Sequence, residues 1–144
     1  MTTIAIANQQ TLLRVDRARI RRAVRAVAAG EIAARATISV AVVDDAAIGR
    51  LNERFLHHRG ATDVLSFVLT DEDGALEGEV VVSAETACRA APRYGWSAED
   101  ELLLYVIHGA LHLAGYGDET PAARKVMRSR EETYLKRLGV RRKS

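Results

Sequence analysis

The 144-residue chain predicts an α+β fold. We expect one domain over residues 1–144, with a mixed four-stranded sheet and helices packed on it in the order βαβαββααα. Three observations lead there. Strand-like stretches alternate early in the chain with stretches of helical apolar spacing, and strands joined by helices favour parallel pairing. A turn-rich segment, Asp71-Glu72-Asp73-Gly74, then joins two consecutive strands. Finally, the apolar run Leu102 to Ile107 reads as a buried helix; no apolar run approaches the ~20 residues of a membrane span.

Thr3 to Ala7 is the first strand, with Ile4 and Ile6 on one face. A helix over Thr11 to Ala29 follows, its apolar side carrying Leu12, Val15, Ile20, Val24 and Val27, with Gly30 as its stop. Ile38 to Val43 is nearly all apolar, which predicts a strand buried on both faces. Asp44 or Asp45 caps a helix from Ala46 towards Phe55, and 56–61 reads as loop. Val64 to Leu69 and Glu79 to Val82 are the remaining strands. Ser83 caps a helix over Ala84 to Ala91 that Pro92 stops. Ser97-Ala98-Glu99-Asp100 resembles a capping box and starts the helix that contains the apolar run. Thr120-Pro121 opens the last helix, with Val126, Met127, Tyr134, Leu135 and Leu138 on its apolar side and Gly139 closing it.

Composition excludes several classes. With 48% hydrophobic and 28% charged residues, the chain has the balance of a globular domain rather than a disordered or membrane-spanning one. A single cysteine, Cys88, leaves no internal disulfide, and the start lacks a basic segment followed by an apolar core. A cytoplasmic location is expected. Net charge is only +2, yet arginines cluster between Arg14 and Arg25, and the tail carries Lys136, Arg137, Arg141, Arg142 and Lys143. Such patches suit nucleic acid and equally suit a solvated helix face. Trp96, Tyr94 and Tyr116 read as packing anchors, Cys88 as a small core residue, and His57 and His58 as solvated loop side chains.

The chemistry concentrates in His108-Gly109-Ala110-Leu111-His112-Leu113-Ala114-Gly115-Tyr116-Gly117-Asp118. Residues four apart share a helix face, so His108 and His112 can grip one metal ion. Gly115 and Gly117 let the chain turn and bring Asp118 back as a third ligand; alternatively, Asp118 serves the N-terminus of the next helix. Three protein ligands on zinc leave a fourth position for water, the pattern of a catalytic site. The spacing is zincin-like, but a zinc peptidase needs Glu directly after the first His, where this chain has Gly109.

Three motifs carry a family resemblance. Thr62-Asp63-Val64-Leu65-Ser66-Phe67, Gly78-Glu79-Val80-Val81-Val82-Ser83 and His108 to Asp118, with Leu51-Asn52 and Phe55 upstream, resemble the YbeY-type rRNA maturation factors in the same order. These are small bacterial metal-dependent endoribonucleases. The resemblance implies one zinc ion per chain on His108, His112 and Asp118, and cleavage of single-stranded RNA. It further implies a role in ribosomal RNA maturation and ribosome quality control, with ribosomal RNA and the small ribosomal subunit as partners. Two positions depart from the family pattern: Asp118 stands where the third ligand is usually His, and Leu56 where an Arg usually follows the aromatic. No catalytic arginine is therefore transferred; Arg59, three residues on, is a candidate to reach the same cleft. The alternative to an endoribonuclease is a non-catalytic ribosome-assembly factor stiffened by its metal.

Overall fold

A computed structural model describes residues 2–32 and 35–141. The strands are β1 (Thr2–Asn8), β2 (Arg35–Val43), β3 (Val64–Glu72) and β4 (Ala75–Ser83). The helices are α1 (Arg17–Glu31), α2 (Asp45–Leu56), α3 (Ala84–Ala90), α4 (Ala98–Leu113) and α5 (Pro121–Arg137), with a 3-10 turn at Ala91–Tyr94 between α3 and α4. The expected order βαβαββααα is observed. The sheet runs β1-β2-β4-β3, with β1, β2 and β4 parallel and β3 antiparallel to β4 at the edge. Asp73 and Gly74 both take positive φ, as a tight two-residue hairpin turn requires.

The alternation along β2 sorts the core into layers. Ala36, Ile38, Val40 and Val42 point to one face, where they join Ile20 and Val24 of α1 and Leu102, Val106 and Leu113 of α4. On the opposite face Thr37 and Ser39 are exposed, and only the Ala41–Val43 end is covered, by Ile48 and Leu51 of α2. The expectation that β2 is buried on both faces therefore holds at one end only, because the twelve-residue α2 is too short to cover the sheet. Beyond α4, a second cluster joins Leu103, Ile107 and Leu111 to Val27 of α1 and Met127, Tyr134 and Leu135 of α5. Helix α4 is thus apolar on nearly every side because it lies between the sheet and α5. Each Leu or Ile it buries is worth about 1.5–3 kcal/mol relative to exposure.

Several boundaries differ from expectation for identifiable reasons. Helix α1 begins at Arg17, not Thr11. The Asp16 carboxylate accepts from Arg19 N at 3.1 Å, and upstream the Gln10 amide holds both backbone groups of Leu13. Local side-chain bonds of this kind outcompete another helical turn. Gly30 does not stop α1, which runs on to Glu31. A Cβ there would lie 2.3 Å from the Tyr134 hydroxyl, so Gly30 admits α5 instead. Ser97 caps α4 by accepting from Asp100 N at 3.1 Å, but Asp100 pairs with Arg19 rather than closing a reciprocal box. Pro92 sits within the 3-10 turn after α3. Val126 is exposed, one position off the buried stripe of α5, and Cys88 is half-buried rather than core.

Candidate metal centre

Helix α4 delivers two histidines to one point. Position 109 between them must be glycine. A Cβ there would stand 2.4 Å from Val80 Cγ1 and 3.0 Å from Val64 Cγ2, so the helix backbone lies directly on the sheet. The Gly109 carbonyl accepts from Ser66 Oγ at 2.9 Å, which ties this turn of α4 to β3. His108 and His112 stay partly exposed, with 20% and 27% of their side-chain surface open. Helix α4 then ends at Leu113, and Gly115 takes φ +106, a conformation that L side chains rarely adopt. Gly117 keeps an ordinary φ, so the reversal uses Gly115 alone of the two.

The reversal carries Asp118 back to the histidines. His112 Nε2 lies 2.9 Å from His108 Nε2, and Asp118 Oδ2 lies 3.3 Å from His108 Nε2 and 3.2 Å from His112 Nε2. In a tetrahedral zinc site with bonds of about 2.0–2.1 Å, neighbouring donors stand roughly 3.3–3.4 Å apart. The three donors therefore already have nearly the spacing that one ion demands. Among the described residues they form the group of His, Cys, Asp or Glu side chains that could hold a metal ion. The competing role for Asp118 is filled by another residue: α5 is capped by Thr120, whose Oγ1 accepts from Ala123 N at 3.0 Å.

Two supporting carboxylates were not visible as site residues in the sequence. Glu131 of α5 places Oε2 2.6 Å from His108 Nδ1, which leaves Nε2 to face the other donors. Such a partner fixes the ring of a metal-binding histidine. Burial alone would lower the His108 pKa, but the bond to Glu131 and the charges of Glu131, Asp118 and Asp63 raise it above its ordinary value. Glu31, at the end of α1, accepts from the Tyr116 hydroxyl at 2.5 Å and from the Tyr134 hydroxyl. Tyr116 is thus an anchor as expected, tying the ligand loop to α1 and α5. A signal for Glu131 did exist: it falls four residues after Met127 and four before Leu135, on the buried stripe of α5.

Other candidates lie elsewhere. His57 is exposed and ends α2 in a left-handed conformation, His58 is exposed beside it, and Arg59 is exposed in the following loop. A cleft of about 350 Å³ reaches His108 and is lined by Asp63, Tyr94, Tyr105, Arg128 and Glu131 among others, but not by Arg59. Trp96 donates to Glu101 Oε1 at 2.7 Å, as a packing anchor would.

Comparison with known proteins bears on this geometry. A family model described as Endoribonuclease YbeY matches residues 5–139. The chain is 41% identical over 130 residues to the Endoribonuclease YbeY of Rhodopirellula baltica, covering 89% of this chain and 67% of that one. It is 38% identical over 135 residues to that of Moorella thermoacetica, covering 85% and 86%. It is also similar to the solution structure of TM1509 from Thermotoga maritima, with a TM-score of 0.68 and 29% identity over 94% of this chain and 89% of that one.

Proposed function

This chain belongs to the Endoribonuclease YbeY family, and on that premise we propose that it is a zinc-dependent endoribonuclease cleaving single-stranded RNA. In this reading it acts in the cytoplasm on ribosomal RNA, in maturation and quality control at the small ribosomal subunit. His108, His112 and Asp118 hold the ion. The observation that carries the proposal is their preformed spacing, 2.9 to 3.3 Å between donors, with Glu131 behind His108. A zinc ion supplies Lewis-acid polarisation of a phosphoryl oxygen and activation of water near neutral pH.

The chain's own side chains supply position. Glu131 fixes the ring and tautomer of His108. Tyr116, held by Glu31, fixes the loop that presents Asp118. The cleft beside His108 is open to an extended strand whose bases are unstacked, the form in which RNA reaches a small site. Asp118 in place of the usual His adds negative charge to the ligand set and makes harder metals more competitive with zinc. A peptidase has no room for its base: a glutamate at position 109 would collide with Val80 and Val64.

The test is cleavage of single-stranded RNA by the zinc-loaded protein and by His112→Ala. Because His112 is half-exposed, the variant keeps the fold and RNA binding but loses cleavage. Cleavage that survives the change removes the metal from the mechanism. Binding without cleavage by the wild type leaves the assembly-factor alternative.

A further inference from the structure

We propose that single-stranded RNA flanking the scissile bond runs along the C-terminal half of α5, its phosphates held by Arg128, Lys136 and Arg141. This rests on the RNA-cleaving reading above. A cleft of about 560 Å³ lies between the 3-10 turn, α4 and α5. It shares Tyr94, Leu104, Arg128 and Glu131 with the cleft that reaches His108, so the two are neighbours separated by these side chains, with Glu131, the partner of His108, on their common border.

The lining matches a nucleic-acid strand in two respects. Arg128, Lys136 and Arg141 line the cleft, and among the described residues none of their side chains has a hydrogen bond or ion pair. Several cations are committed elsewhere, Arg19 to Asp100, Arg89 to Asp45, Arg130 to Glu31, and Arg17 and Arg21 to backbone carbonyls of β1. Arg14, Arg22 and Arg25 are equally unpaired among the described residues but lie away from this cleft. Glu131 and Glu132 also line the cleft, so its cations outnumber its carboxylates by three to two. Arg128 and Lys136 are eight residues apart on one helix, a rise of about 12 Å, which makes them successive stations rather than one phosphate site. Between them stands the half-buried ring of Tyr94, over the buried Leu104 and Leu135. Beyond the packing role the sequence suggests for it, Tyr94 thus presents an edge on which an unstacked base can rest. The basic tail of the sequence thereby acquires a role, although Arg142 and Lys143 lie outside the described residues.

The experiment measures affinity of the zinc-loaded full chain for a single-stranded oligoribonucleotide across a salt series. The variants are Arg128→Ala/Lys136→Ala/Arg141→Ala and a charge-matched control, Arg14→Ala/Arg22→Ala/Arg25→Ala, exposed on and before α1. Each phosphate contact on a single strand contributes about 0.7 to the slope of log K against log salt. The cleft variant should therefore lose about 2 in slope and bind at least about tenfold more weakly near 0.1 M salt, while the control stays at wild type. If the triple variant does not fold, Lys136→Ala alone should lose about 0.7 in slope. Wild-type affinity and slope in the cleft variant, or an equal loss in the control, overturns the proposal. Cleavage by a wild type whose cleft variant binds equally well fails this proposal alone. Binding as predicted without wild-type cleavage fails the nuclease reading alone, and no RNA binding by the wild type fails both.

Discussion

Glu131 decides how His108 meets a ligand. Its carboxylate fixes the ring through Nδ1 at 2.6 Å, so the imidazole is oriented before any ion arrives. Partners of this kind typically account for about 10–100-fold in metal affinity. Glu131→Ala should weaken zinc binding by that factor in a competitive chelator titration, while Glu131→Gln, which keeps an acceptor, recovers part of the loss. Unchanged affinity in both variants would show that His108 is positioned by packing alone. Gly109 is the complementary case, a residue that matters for what it lacks. It brings α4 onto β3 and β4 and thereby sets where both histidines stand.

At the scale of elements, three pieces of chain meet at Glu31: the end of α1, the ligand loop through Tyr116, and α5 through Tyr134 and Arg130. Burial of the Glu31 carboxyl would raise its pKa. The hydroxyls of Tyr116 and Tyr134 and the Arg130 guanidinium outweigh that and hold it below the ordinary value of 4.5. A depressed folded pKa gives stability that is complete above the unfolded value and is lost as pH falls through the folded one. The melting temperature of the wild type should therefore fall more steeply below about pH 4.5 than that of Glu31→Gln, which should start lower at neutral pH. Parallel curves would mean that the network is not coupled to folding. Asp45, depressed by Ser83, Thr86 and Arg89 despite partial burial, titrates in both proteins and cancels in the comparison. These elements also show what the sequence could reveal. The order of strands and helices, the caps at Asp44, Ser83, Ser97 and Thr120, and the convergence of His108, His112 and Asp118 were legible because spacing and capping are local. Glu131 and Glu31 were not legible as partners, since each meets its partner across packed helices. The start of α1 departs from the apolar spacing, which continues back through Val15 and Leu12, because the local bonds of Asp16 and Gln10 stop the helix first.

For the whole molecule, the layering places the chemistry. Helix α4 is buried between the sheet and α5, and its last turns and the loop beyond them bring the donors to one rim. One cleft reaches His108 at that rim, and a second, bordering it at Arg128 and Glu131, lies along α5. Charge follows the same layout: with a net charge of only +2, the uncommitted cations along the cleft matter more than the total. The central claim is that His108, His112 and Asp118 hold one ion that cleaves RNA. Its most direct test is the zinc content of the purified, reconstituted protein beside Asp118→Ala, by elemental analysis, with RNA cleavage followed on the same samples. One zinc per wild-type chain, lost together with cleavage in the variant, is the predicted result. Stoichiometric zinc in both proteins, or none in the wild type after reconstitution, would contradict it.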